Sequence, residues 1–138
     1  MLFEKKCQSL NDVHALIKTV SLALESMGIS RTEKIVTLLV EELLLNTWQY
    51  GLVRKKVSEV SFHIEVIFNK EKISLLIKDD ASPFDPGLYR KSEPQKDHKD
   101  LVIGSMGIHL IKSFSDSWKY FHKDGFNINL FDVNYHEK

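Results

Sequence analysis

The chain has 138 residues, 43% hydrophobic and 28% charged, enough for one compact domain with a single core and too few for two. Nineteen basic residues cancel nineteen acidic ones, so no overall positive field exists to hold nucleic acid or an anionic membrane. Cys7 stands alone, which excludes an internal disulfide and favours the cytoplasm. The start MLFEKKCQSL lacks the apolar core of a signal peptide, and no apolar run approaches the roughly 18 residues of a bilayer span, so a soluble protein is expected.

Apolar residues at helical spacing, Leu10, Val13, Ile17, Val20, Leu24 and Met27, predict a helix over about 10–27, with Ser9 as N-cap and Gly28 as terminator. Ser30 followed by Glu33 is a capping-box pattern that opens a second helix over about 31–50, ended by Gly51. The period then falls to two. Val60, Phe62, Ile64, Val66 and Phe68 form one face of a strand, Asn69 to Lys72 a turn, and Ile73, Leu75 and Ile77 an antiparallel partner that ends in Asp79 and Asp80.

Pro86 to Asp100 is polar and without apolar periodicity, which reads as a mobile loop, and Gly104 to Phe114 reads as a third helix. Ser117 to Lys123 and Phe126 to Val133 alternate around Asp124-Gly125, a strong hairpin signal. Adjacent strand pairs with helices grouped between them predict an α+β fold: helices on one face of a mainly antiparallel sheet. The other face, to which Phe121 and Phe131 are assigned, is left exposed.

Several polar residues break these patterns. A rotation of about 100° per residue sets Glu42 beside Leu38 and Leu39, making it the inward carboxylate, and puts Glu41 on the polar side. Asn46 lies one turn above Glu42. Such a pair is also found simply satisfied inside a core. Strand parity points Asp79 inward and Asp80 outward, where Asp79 would accept either a ligand amine or backbone N–H groups of the turn Ala81-Ser82-Pro83. Gly104-Ser105-Met106-Gly107 precedes a helix whose first N–H groups suit a phosphate. The six histidines show no metal-ligand spacing, and neither a nucleophile elbow nor a P-loop occurs.

Taken in order, VEELLLNTWQYG (40–51), IKDDASPFDP (77–86) and GSMGIHLIKSFSDSWKY (104–120) resemble the N-box and the two glycine boxes of the GHKL, or Bergerat-fold, ATPases, which include gyrase, MutL and histidine kinases. The short length, the PFDP element and the ending GFNINLF look most like the anti-sigma-factor serine/threonine kinases. The resemblance spans nearly the whole chain. It implies one histidine-kinase-like ATPase domain over 1–138, a two-layer sandwich of about three helices on a mainly antiparallel mixed sheet, with a lid over about 86–104.

Carried over by residue, the resemblance makes Glu42 the general base or orienting group and Asn46 the ligand of the Mg²⁺ that bridges the nucleotide phosphates. It makes Asp79 the acceptor for the adenine amine and Gly104 and Gly107 the lid hinges. Ala81, Phe84, Ser105, Met106 and Ile108 fall within the same ATP-binding boxes. The implied activity is phosphorylation of a small anti-sigma-factor antagonist, alternating with capture of a sigma factor. A homodimer is implied by the family alone. Ala81 replaces a family glycine, which keeps a second reading open: a non-catalytic nucleotide-binding module that sequesters a protein partner.

Overall fold

The computed structural model describes residues 1–27, 31–51, 59–83 and 111–135. The 86–104 lid, Phe84 and the residues Gly104, Ser105, Met106, Gly107 and Ile108 lie outside them, as do Gly28 and Ser30 with their proposed capping roles.

Strand β1 (Leu2–Cys7) leads into helix α1 (Leu10–Glu25) and helix α2 (Arg31–Asn46), which runs on into a π-helical turn at Thr47–Gly51. Strands β2 (Val60–Phe68) and β3 (Lys72–Asp79) form one hairpin, and β4 (Ser117–Lys123) and β5 (Phe126–Asn134) the other. Residues 111–114 are helical, the described part of the expected third helix.

The five strands make one sheet in the order β1-β2-β3-β5-β4, and every pairing among the described residues is antiparallel, in line with the mainly antiparallel sheet that was expected. The helices cover one face, giving the two-layer α+β fold.

Local chemistry explains most of the elements. Ser9 has extended backbone and its hydroxyl accepts the Asp12 N–H at 3.2 Å, which starts α1. Val13, Leu16, Ile17, Val20 and Leu24 are its buried stripe, whereas Leu10 and Met27 at its two ends are about half exposed. At the β4–β5 turn both Asp124 (φ 54°) and Gly125 (φ 86°) lie in the left-handed region that a two-residue hairpin needs.

Strand β1 was not expected. It pairs with β2 from Leu2↔Glu65 to Cys7↔Val60, and its inward side chains, Phe3, Lys5 and Cys7, include only one fully buried group. The core lies between the layers, built from α1, α2 and the inward residues of β2, β3 and β5, with Ile111 at 0% exposure joining it. Phe131 belongs to this core and not to the open face. It is 1% exposed and stacks on Trp118 with centroids 5.6 Å apart. Phe121 pairs with Ile128, three register positions away and so of opposite parity, and is 42% exposed on the outer face.

Candidate functional site

Helix α2 turns Ile35, Val36, Leu39, Val40, Leu43 and Leu44 into the core, and Asn46 closes its last turn on the flank of that stripe. Asn46 is only 3% exposed. Its Nδ2 donates to the Glu42 carbonyl at 2.7 Å, while its buried Oδ1 has no hydrogen-bond partner among the described residues. Leaving such an acceptor dry costs about 1–3 kcal/mol, so a ligand-facing role for it has an energetic motive. The helix then widens into the π-turn, an irregularity that recurs at functional sites.

Glu42 sits about 100° around the helix from the centre of the buried stripe. It is half buried rather than fully inward, and Glu41 is half buried as well. Periodicity thus separated the two acids more sharply than their burial does. Desolvation, followed by repulsion from Glu41, raises the Glu42 pKa above the usual carboxylate value. That makes it a better proton acceptor than an exposed glutamate once ionised.

On the sheet, parity places Ile73, Leu75, Ile77 and Asp79 on the buried face, and Asp79 is 1% exposed. Its Oδ1 accepts the Ala81 N–H at 3.0 Å and the Asn127 Nδ2–H at 2.9 Å. The turn reading of this aspartate is thus met in part, through Ala81. Asn127 also donates to the carbonyls of Ala81 (3.3 Å) and Ser82 (3.0 Å), so one buried amide fixes the whole strand exit. Ala81 is buried at 2% and outside the left-handed region, so its methyl brings no backbone strain. Asp80 instead accepts the Ser61 N–H at 2.8 Å.

The predicted residues therefore form two groups: Glu42 with Asn46 at the end of α2, and Asp79 with Ala81 at the end of β3. The groups sit on elements that pack together, since α2 lies against both β3 and β5. Asn127 and Asn129 were missed. Both are 2% exposed, and Asn129 Oδ1 accepts from Trp118 Nε1 at 3.0 Å. Their signal was available: on β5 they share parity with Phe131 and Val133, which assigns two amides to a buried face.

The donor set suits Mg²⁺, which usually takes one or two protein oxygens and completes its shell with water and phosphate. A carboxamide oxygen with no partner among the described residues, Asn46 Oδ1, is such a ligand. Among the described residues no group of three His, Cys, Asp or Glu forms an all-protein metal cage.

The helix-on-antiparallel-sheet architecture matches solved structures, among them the nucleotide-free catalytic domain of the histidine kinase ThkA. That likeness has a TM-score of 0.52 at 11% identity and covers 98% of this chain and 97% of the other, which establishes the shared fold. Residues 7–129 match the model of the histidine kinase-like ATPase domain, and the chain belongs to that family, within the GHKL superfamily. Membership implies an ATP-using domain of kinase type. No curated protein matches the chain. No described helix is long and apolar enough to cross a membrane.

Proposed function

We propose that this chain is an ATP-dependent protein serine/threonine kinase that acts as an anti-sigma factor, phosphorylating a small antagonist protein and otherwise holding a sigma factor. The observation that carries the nucleotide part is the buried Oδ1 of Asn46, which has no partner among the described residues. The serine/threonine and partner-switching parts come from the resemblance of the three boxes and the PFDP element to that kinase family.

In this reading Asp79 accepts from the adenine amine while Asn127 and the Ala81 N–H keep its carboxylate fixed. Asn46 would hold Mg²⁺ through its Oδ1. Bound there, Mg²⁺ would neutralise charge on the phosphates. Glu42 aligns the incoming hydroxyl and takes its proton as the oxygen attacks the terminal phosphorus. The bond from that phosphorus to the bridging oxygen breaks, and ADP leaves. The raised pKa of Glu42 suits this role.

The test is transfer of labelled terminal phosphate from ATP to the co-encoded antagonist. The wild type should transfer it, and Glu42→Gln should slow transfer by about 100-fold or more. Undiminished transfer by the variant would reject Glu42 as the base.

One observation favours the second reading, a nucleotide-binding switch without chemistry. Asp79 Oδ1 already holds two N–H groups, and Ala81 packs its methyl into the core, so the adenine end is stiffly built. ATP binding that changes partner affinity without any phosphoryl transfer would select this reading over the kinase.

A further inference from the structure

Strand β1 ends the sheet on one side, and its register shows which backbone groups it leaves over. The Val66 N–H donates to the Met1 carbonyl at 2.8 Å and the Met1 amine to the Val66 carbonyl at 2.8 Å, so these two form a hydrogen-bonded pair. Alternation along the antiparallel ladder then turns the N–H and C=O groups of Phe3, Lys5 and Cys7 towards β2, and those of Leu2, Glu4 and Lys6 away from it. None of these outward groups has a partner among the described residues. Such a row is a template for one more strand.

The side chains beside the row say what that strand carries. A groove of about 380 Å³ lies between β1 and α1, lined by Leu2, Phe3, Lys5, Ala15, Leu16 and Thr19. Leu2 is 59% exposed, and Leu22, two turns along α1 from Ala15 on the same face, is 55% exposed. Lys5 points to the helical side of the sheet, is half buried, and has neither an ion pair nor a hydrogen bond among the described residues. Its neighbours on β1 are already engaged, Glu4 by His63 Nδ1 at 2.7 Å and Lys6 by Glu59 at 3.6 Å. The groove is therefore apolar with one cation that lacks a counter-charge, and it is complementary to an acid set among apolar groups.

Register fixes the spacing of those groups. On an antiparallel newcomer, the residues opposite Lys5 and Phe3 form non-hydrogen-bonded pairs, in which side chains come closest, and both face the groove. The newcomer passes Lys5 first and Phe3 two residues later. From these relations we infer that β1 binds an extended segment of a partner protein in which a carboxylate residue precedes an aliphatic one by two positions. The carboxylate pairs with Lys5, and the aliphatic side chain lies against Phe3 in the groove. A second copy of β1 does not fit this description. Strand pairing preserves faces, and the groove side of β1 carries Phe3, Lys5 and Cys7, so no register offers Lys5 an acid; the register centred on the strand sets Glu4 against Glu4. Strand β2 separates this edge from β3, and the inference stands apart from the nucleotide reading.

Fluorescence anisotropy of the full chain with a labelled peptide, STSETLTVS, tests it. Saturable binding with Kd below about 1 mM is expected. STSTELTVS, which moves the acid to the opposite face, should bind about tenfold more weakly or worse. STSEPLTVS lacks the N–H that the Glu4 carbonyl would accept and should not bind. Lys5→Glu should reject STSETLTVS and take STSKTLTVS to within about threefold of the original affinity. Should that variant fail to fold by circular dichroism, Ala15→Arg, at an exposed helical position, fills the groove and should block the peptide. Hydrogen exchange at the Glu4 and Lys6 amides should slow when the peptide is bound. Absence of binding, equal affinity for the two peptides that differ in the face of the acid, unchanged exchange at both amides, undiminished binding by Ala15→Arg, or a dimer of the chain that the peptide disperses would each overturn the inference.

Discussion

Asn127 donates its side-chain N–H to Asp79 Oδ1 at 2.9 Å, and the two residues are direct register partners on β5 and β3 although 48 positions separate them in the chain. This buried pair ties the exit of β3 to the second hairpin, and through it the proposed adenine acceptor is held by a residue from the far end of the sequence.

Asn127→Ala leaves Asp79 Oδ1 with one fewer donor and removes the donor to the carbonyls of Ala81 and Ser82. The expected cost is about 2 kcal/mol. It is read as a lower urea midpoint with an unchanged slope; a midpoint equal to that of the wild type would show that water replaces the amide.

Asn46→Leu should separate stability from function. Removing the buried, partnerless Oδ1 at similar volume is expected to leave stability unchanged or raise it by about 1 kcal/mol. Mg²⁺-dependent ATP binding, followed by calorimetry, should fall at the same time. A large loss of stability would instead mark the residue as a core amide.

His63 predicts a pH effect on the β1–β2 seam. Its Nδ1 meets Glu4 and its Nε2 meets Glu65, both at 2.7 Å, and Lys78 is its register partner on β3. The hydrogen bond to Glu65 is the main cause that raises its pKa, Glu4 adding to it against some desolvation. A raised folded-state pKa means stability fully present below the unfolded value of about 6.5 and lost as pH rises through the folded value. Denaturation midpoints should therefore decline from mildly acidic to mildly alkaline pH, and His63→Gln should flatten that decline.

Gly125→Ala probes the second hairpin. Nothing lies within 4 Å of the added Cβ, so the penalty comes from φ of +86° alone. About 1 kcal/mol of stability should be lost, seen as a lower melting temperature.

Much of this molecule was legible residue by residue. The stripe of α1 and its Ser9 cap, the parity that turned Asp79 inward and Asp80 outward, and the Asp124-Gly125 turn all follow from interactions within a few residues. Those interactions are written in consecutive letters. Strand β1 was not legible, since Phe3-Glu4-Lys5-Lys6-Cys7 alternates too weakly to predict pairing and becomes a strand only because β2 offers it an edge. Glu42 came out half buried, on the flank of the α2 stripe and not within it.

By itself the sequence determined the α1 stripe, the buried faces of β2 and β3 and the β4–β5 turn, since each is set by local backbone and side-chain geometry. Only the tertiary structure decided that Asn127 anchors Asp79, that Asn46 Oδ1 meets no partner among the described residues, and that Phe131 lies inside while Phe121 lies outside. The reason is physical: a buried polar group is satisfied by whatever strand register brings to it, and register joins residues that are remote along the chain.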